Sequence, residues 1–153
     1  MNVLAYDPYK PASEFPDGVE VVRDLDRIFK ECDYVSLHCP LTPATRHLIN
    51  ADTLVLMKPT AFLINTSRGA LIDEPALIKA LQEHKIAGAG LDVQETEPPV
   101  EDNPLYTLDN VILTPHMGWK GLETRQRLLS ILKGNIDGFI NGKPVNVDRK
   151  SVV

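Results

Sequence analysis

A mainly parallel sheet layered with helices, an α/β fold, is what this chain of 153 residues predicts. Short apolar runs that read as buried strands alternate with segments of helical spacing along the whole chain. Each run stops at a proline, a glycine or a small polar residue. The run Ala87 to Val93 is built from small residues, which let helices or a ligand approach closely. Right-handed crossovers bring the C-terminal ends of parallel strands to one edge. In open α/β sheets, ligands bind outside those ends.

The elements follow in order. Asn2 to Tyr6 is a strand ended by Asp7-Pro8. Asp24 is placed to cap a helix over Leu25 to Cys32, with Leu25, Ile28 and Phe29 at helical spacing. Tyr34 to His38 is the next strand, and Pro40 to Pro43 a loop. A short helix through Thr53 to Met57 ends at Lys58-Pro59. The apolar run Ala61 to Ile64 is a strand leading into Asn65-Thr-Ser-Arg-Gly69. Glu74-Pro75 opens a helix with Leu77, Ile78 and Leu81 on its apolar face. His84 and Lys85 are expected in its last turn, where positive charge suits the dipole. Ala87 to Val93 and Asn110 to Thr114 are strands, separated by the proline-rich loop Pro98 to Pro104. A long amphipathic helix from about Gly121 to Phe139 closes the chain, and Asn141-Gly-Lys-Pro144 turns it into a tail. The expected division is 1–120 and 121–153.

Composition narrows the function. Apolar content of 43% and charged content of 24% are ordinary for a globular domain. A net charge of −5 argues against a nucleic-acid surface. No apolar run approaches membrane-spanning length. The opening Met1 to Asp7 lacks a basic leader, so the cytoplasm is the expected location. Cys32 and Cys39 are not a CxxC pair, and His38-Cys39 lacks the further ligands zinc requires. No metal is expected, and the cysteines read as reduced, partly buried thiols.

The chemistry lies at the expected strand ends. Arg68 presents a planar fork of donors suited to a carboxylate, and Gly69 lets the backbone turn or approach a ligand closely. Asp7 reads either as an Asp-Pro turn starter or as an acceptor for both ribose hydroxyls of NAD, with Lys10 near enough to blur a preference over NADP. His116 follows a strand end, and histidine gives and takes protons near neutral pH. Glu97, hydrogen-bonded to the imidazole, would favour its protonated form. Such a pair suits delivery of a proton to a carbonyl oxygen while a hydride reaches its carbon, with Arg68 polarising that carbonyl.

The segments His38-Cys-Pro-Leu-Thr-Pro-Ala-Thr45, Ile64-Asn-Thr-Ser-Arg-Gly-Ala-Leu-Ile-Asp73, Gly90-Leu-Asp-Val-Gln-Glu-Thr-Glu-Pro98 and Leu113-Thr-Pro-His-Met-Gly118 resemble the D-isomer-specific 2-hydroxyacid dehydrogenases in order and spacing. The resemblance implies a Rossmann-like three-layer fold, with a parallel sheet and helices on both faces. It implies Arg68 as binder of the substrate carboxylate, Glu97 as partner of the histidine and His116 as general acid/base. It places Asp7 on the adenosine ribose, Asp92 near the nicotinamide carboxamide and the Thr66-Ser67 backbone near NAD. Cys39, Pro40 and Thr45 belong to the loop that would cover the cofactor, and Arg68, His116 and Gly118 complete the cofactor-binding set. The Trp119 segment is similar to the glycerate dehydrogenase/hydroxypyruvate reductase branch. Implied partners are a small 2-keto or 2-hydroxy acid and a second copy of the chain.

The family's G-x-G-x-x-G fingerprint, which cradles the pyrophosphate, does not occur in this sequence. The expectation is therefore a truncated chain, with the first βα unit and the substrate domain missing. Such a chain is expected to bind NAD weakly or not at all and to turn over poorly, and its uncovered edges lead it to self-associate or to be marginally stable. Two function classes stay open: an NAD-dependent oxidoreductase of D-2-hydroxy acids, of glycerate/hydroxypyruvate or glyoxylate type, and a non-catalytic remnant or interaction module. A Rossmann-like regulator is a third and weaker reading, because it needs no proton-transfer pair.

Overall fold

The computed structural model describes residues 1–147 and divides into two units, Met1–His116 and the segment from Met117 onward. The first unit holds strands β1 (Val3–Ala5), β2 (Val19–Val21), β3 (Tyr34–Leu37), β4 (Phe62–Asn65), β5 (Gly88–Leu91) and β6 (Val111–Leu113). Its helices are α1 (Leu25–Glu31), α2 (Ala51–Leu56) and α3 (Glu74–Gln82). All strand pairs are parallel. Among the described residues β1 pairs with β2 alone, and β3-β4-β5-β6 form a second sheet in chain order. Taking the first strand out of the doubly wound order 3-2-1-4-5-6 leaves a 3-2 pair and a 4-5-6 run, which β2-β1 and β3-β4-β5 match, with β6 extending the run by one strand.

The alternation of side chains along parallel strands assigns the faces. Val35, Leu37, Leu63, Ala89 and Leu91 point into a core shared with Phe29 of α1, Leu54 of α2 and Leu77 and Leu81 of α3. On the opposite face Tyr34 stacks on Phe62 at 5.6 Å, and both are exposed, as is Ile112. Gly88 lies beneath Phe62; a Cβ there would come 2.5 Å from the Asn110 carbonyl oxygen.

Helix starts follow the capping chemistry in the sequence. Asp24 accepts the Asp26 N–H at 3.0 Å. Asp73 accepts that of Ala76 at 3.1 Å, ahead of Pro75 in the first turn. α2 begins at Ala51, two positions before the expected Thr53, because Asn50 caps it and forms a reciprocal capping box with Thr53.

Two expectations are corrected. β2 was not anticipated: Val-Glu-Val is too short to carry a period-2 signal, and it forms a strand only because β1 lies beside it. His84 and Lys85 are not in the last turn of α3, which ends at Gln82. His84 takes a left-handed conformation with φ 50°, so its N–H and that of Lys85 turn back to the Leu81 and Ala80 carbonyls.

Between β3 and α2 the chain pairs with the segment leading into α3. His47 N–H donates to the Ala70 carbonyl at 2.9 Å, Ile49 N–H to Leu71 at 3.0 Å and Asp73 N–H to Ile49 at 2.8 Å. This short parallel bridge brings His47 beside the loop that follows β4.

The second unit is the helix α4 (Leu122–Ile140) with its flanks. No residue of α4 is buried, and Leu128, Leu132, Ile136 and Phe139 are all exposed. Gly138 lets the Lys143 carbonyl pack against the helix; a Cβ there would lie 2.8 Å from that oxygen. No helix among the described residues is long and apolar enough to cross a membrane.

Candidate functional site

Because β3 to β6 are parallel, the turns that follow them leave from one edge. Asn65, the last residue of β4, is fully buried and organises its turn. Its Oδ1 accepts the Ser67 N–H at 3.0 Å, and its Nδ2 donates to the Arg68 carbonyl at 2.9 Å. Ser67 Oγ donates to the Leu37 carbonyl at 2.7 Å, tying this turn to the end of β3. The turn therefore presents Arg68 outward, with Nη1 on the Ser67 carbonyl at 2.7 Å.

The loop after β5 meets that turn closely. A Cβ on Gly69 would sit 1.8 Å from the Gln94 carbonyl oxygen and 2.5 Å from the Glu95 nitrogen. Only glycine fits, and the contact fixes Arg68 relative to the Gln94 to Glu97 loop. Glu97 Oε1 accepts the Gln94 N–H at 3.1 Å, and the Glu97-Pro98 peptide is cis. From the end of β6, His116 brings Nδ1 to 2.7 Å from Glu97 Oε2. A carboxylate only accepts, so Nδ1 carries a proton toward Glu97 and Nε2 is the ring nitrogen left for exchange. His116 is left-handed, with φ 48°, a region histidine enters more readily than most non-glycine residues.

The Glu97 carboxyl lies below its ordinary range. Partial burial pushes it up, but the hydrogen bonds from His116 and the Gln94 N–H, with the charges of His116 and Arg68, outweigh that. Glu97 and His116 stand between two open clefts. One, of about 280 Å³, is lined by Leu41, Arg68, Gly69 and Val93 as well. The other, of about 490 Å³, is lined by Asp92, Pro98, Tyr106, Leu113 and Thr114 among others. Asp92 is buried there and accepts from Thr114 Oγ1. One cleft thus offers a guanidinium to an anion, the other an apolar wall ending in a carboxylate, and the imidazole faces both.

The remaining expected residues follow other strand ends or lie in the second unit. Asp7 follows β1, with Oδ1 accepting the Tyr9 and Lys10 N–H groups at 2.8 and 3.1 Å. Those two bonds, ahead of the nearby Lys10 and Arg23 charges, hold its carboxyl below the usual range. The Pro40 to Thr45 loop is closed by Thr45 Oγ1, which donates to the Pro40 carbonyl at 2.7 Å and accepts the Thr42 N–H at 2.8 Å. Cys39 beside it is a free thiol that burial makes less acidic. Thr66 is exposed at the tip of the β4 turn. Gly118 and Trp119 lie in the second unit, where Arg125 packs over the Trp119 ring at 5.6 Å. No group of three or more metal-ligating side chains occurs among the described residues.

Sequence reasoning passed over Asn65, His47 and Glu95. The doubled glutamate in Glu95-Thr-Glu97 was the one available signal, and only its second member was singled out.

Comparison with known proteins bears on this geometry. Residues 1–118 match the family model of the D-isomer specific 2-hydroxyacid dehydrogenase, NAD binding domain. A glyoxylate reductase of Thermococcus litoralis is 48% identical over 155 residues, covering 100% of this chain and 46% of its own. A hydroxypyruvate reductase of Blautia hydrogenotrophica is 43% identical over 150 residues, covering 98% of this chain and 46% of its own. Among solved structures, the holo form of Rhodotorula graminis D-mandelate dehydrogenase superposes with a TM-score of 0.90 at 35% identity, over 100% of this chain and 45% of that one. The chain spans less than half the length of these relatives.

Proposed function

The chain belongs to the D-isomer specific 2-hydroxyacid dehydrogenases, and we propose that it supplies the proton-transfer half of an NAD-dependent oxidoreductase interconverting a D-2-hydroxy acid and its 2-keto acid. The observation that carries this reading is Glu97 Oε2 at 2.7 Å from His116 Nδ1, with Arg68 lining the same cleft. The substrate class is a small keto acid of the glyoxylate or hydroxypyruvate kind, supported by the names of the two reductases that match.

Each side chain has a role that its surroundings permit. Arg68 holds the substrate carboxylate by two parallel hydrogen bonds and draws electron density from the adjacent carbonyl. His116 Nε2 gives its proton to the carbonyl oxygen in reduction and takes it back in oxidation. Glu97 fixes the ring orientation and stabilises the imidazolium. NAD, when bound, accepts or supplies the hydride. The residues present fit that cofactor: Thr66 and Ser67 line a strand-end turn, and the buried Asp92 carboxylate at the wall of the larger cleft can accept from a carboxamide. Asp7 would meet the ribose, Cys39, Pro40 and Thr45 would cover the cofactor, and Gly118 would complete the set. No G-x-G-x-x-G loop occurs in this sequence, so the chain by itself holds NAD weakly.

The exposed apolar side chains of α4 are suited to packing on a further domain or a second copy. The free thiols of Cys32 and Cys39 suit the cytoplasm.

The test is a reductase assay with NADH and glyoxylate or hydroxypyruvate, run on the chain with and without an added segment carrying a glycine-rich phosphate loop. Turnover is expected with the added segment and is expected to fall by about 10³ in His116→Ala. No turnover from folded, associated pieces would replace this reading with a non-catalytic module.

A further inference from the structure

The loop after β5 carries a second glutamate that the proposed reaction does not use, and it is the more firmly held of the two. Glu95 Oε1 accepts from His47 Nε2 at 2.6 Å and from Arg46 Nη2 at 3.0 Å. Its Oε2 accepts the Glu74 backbone N–H at 3.3 Å, and its own N–H donates to Glu74 Oε2 at 3.0 Å. Glu74 Oε1 accepts from Asn103 Nδ2 at 2.7 Å, and the same Nδ2 reaches Gln94 Oε1 at 3.1 Å. Only 20% of the Glu95 side chain is exposed. The loop is thus fastened to the segment before α2, to the first turn of α3 and to Asn103.

His47 is held for this contact. It is left-handed, with φ 52°; its N–H is fixed on the Ala70 carbonyl at 2.9 Å, and its own carbonyl accepts from Asn50 Nδ2 at 3.1 Å. Downstream of the clamp lie the contacts of the site itself. Gln94 N–H meets Glu97 Oε1, Glu97 Oε2 meets His116, and the Gln94 carbonyl occupies the space beside Gly69 that a Cβ would fill.

We infer that Glu95 is a positioning residue: clamped by His47 and Arg46, it sets the Gln94 to Glu97 loop so that the Glu97 carboxylate meets His116 beside Arg68. Glu95 borders the smaller cleft with Arg68, Glu97 and His116, but its carboxylate is bonded to Arg46, His47 and the Glu74 N–H, and it acts on the reaction through Glu97. The meaning of the site rests on the proposed function, whereas the clamp itself is geometric.

The experiment reads the His116 ring directly. The chain is labelled with 15N in its histidine rings, and the tautomer of His116 is measured by NMR above neutral pH. In the unaltered chain the Nδ1–H form dominates, and Glu97→Gln serves as the control that removes the charged acceptor. Glu95→Gln and His47→Gln are each expected to reduce the excess of that form by about half or more, with far-UV circular dichroism unchanged. Should Glu95→Gln fail to fold, His47→Gln carries the same test, because it removes the shorter of the two side-chain bonds on Glu95 Oε1 while the backbone N–H bonds between Glu95 and Glu74 still hold the loop. In the complemented reductase, kcat is expected to fall about tenfold in both variants, with KM for the keto acid changing less than about twofold. An unchanged His116 tautomer in folded His47→Gln and Glu95→Gln would overturn the inference. The ring measurement needs neither cofactor nor substrate. Absence of reductase activity would therefore sink the proposed function and leave the clamp standing, while normal activity with unmoved His116 signals would sink the clamp alone.

Discussion

His47–Glu95 and His116–Glu97 are the same two side chains paired at nearly the same distance, 2.6 and 2.7 Å, with the two glutamates on one loop. Both histidines are left-handed. Their surroundings separate them. Glu95 also borders the smaller cleft, but its carboxylate oxygens are taken by Arg46, His47 and the Glu74 N–H, so that pair is the more fully bonded one. Around Glu97 one oxygen meets a single backbone N–H, and the imidazole borders both clefts. A pair enclosed by donors holds structure, and the same pair opened to a cleft can exchange a proton.

The largest effect that distinguishes them is on rate. His116→Ala should lower reductase turnover by about 10³, whereas His47→Ala should lower it far less and instead lower stability by about 1 kcal/mol. Equal losses of rate in both would erase the distinction. Gly69→Ala should come next, because its Cβ meets the Gln94 backbone, which serves both pairs. A stability loss of about 3 kcal/mol is expected in denaturant titration. A loss below about 1 kcal/mol would mean that the two loops part without consequence for the fold. Asn50→Ala removes the cap of α2 and the bond to the His47 carbonyl, and should lower the melting midpoint by an amount equivalent to about 1 kcal/mol. It should leave the His116 ring signals nearer to their original positions than His47→Gln does.

The smallest effect is in pH. The Glu97 carboxyl is depressed in the folded chain, mainly because the bonds from His116 and Gln94 outweigh its partial burial. A depressed carboxyl contributes stability that is fully present above its unfolded value and is lost as pH falls through the folded one. The pair is more than a third exposed, so solvent screens it and the contribution is small. The thermal midpoint of the unaltered chain should fall more than that of Glu97→Gln as pH drops below the ordinary carboxylate range. Identical pH profiles would show that the bond to His116 is not maintained in solution.

Much of this molecule was legible in the chain. Apolar runs such as Ala61 to Ile64 marked strands because a strand buried in a parallel sheet needs a nearly continuous apolar sequence. Asp24 and Pro75 marked helix starts, because unpaired N–H groups there need an acceptor or a residue that has none. Alternation implied that the turns carrying Arg68, Glu97 and His116 share an edge, and the structure brings them together around one cleft. β2 was not legible, because a strand of Val-Glu-Val exists only by pairing with β1. The left-handed end of α3 was not legible either, since His84 carries none of the conformational preference that glycine would have advertised.

By itself the sequence determined the α/β class, the motif order that places the chain in its family and the side chains proposed to move a proton. These depend on local pattern and on chemical type, which neighbours in the chain express. Tertiary structure alone decided which glutamate would be clamped and which would be open. Glu95 and Glu97 are identical in type and two positions apart, and nothing local distinguishes them. The difference is made by Arg46 and His47, 49 and 48 positions from Glu95 along the chain, and by the Gly69 backbone, which meets the loop only once the strands have paired.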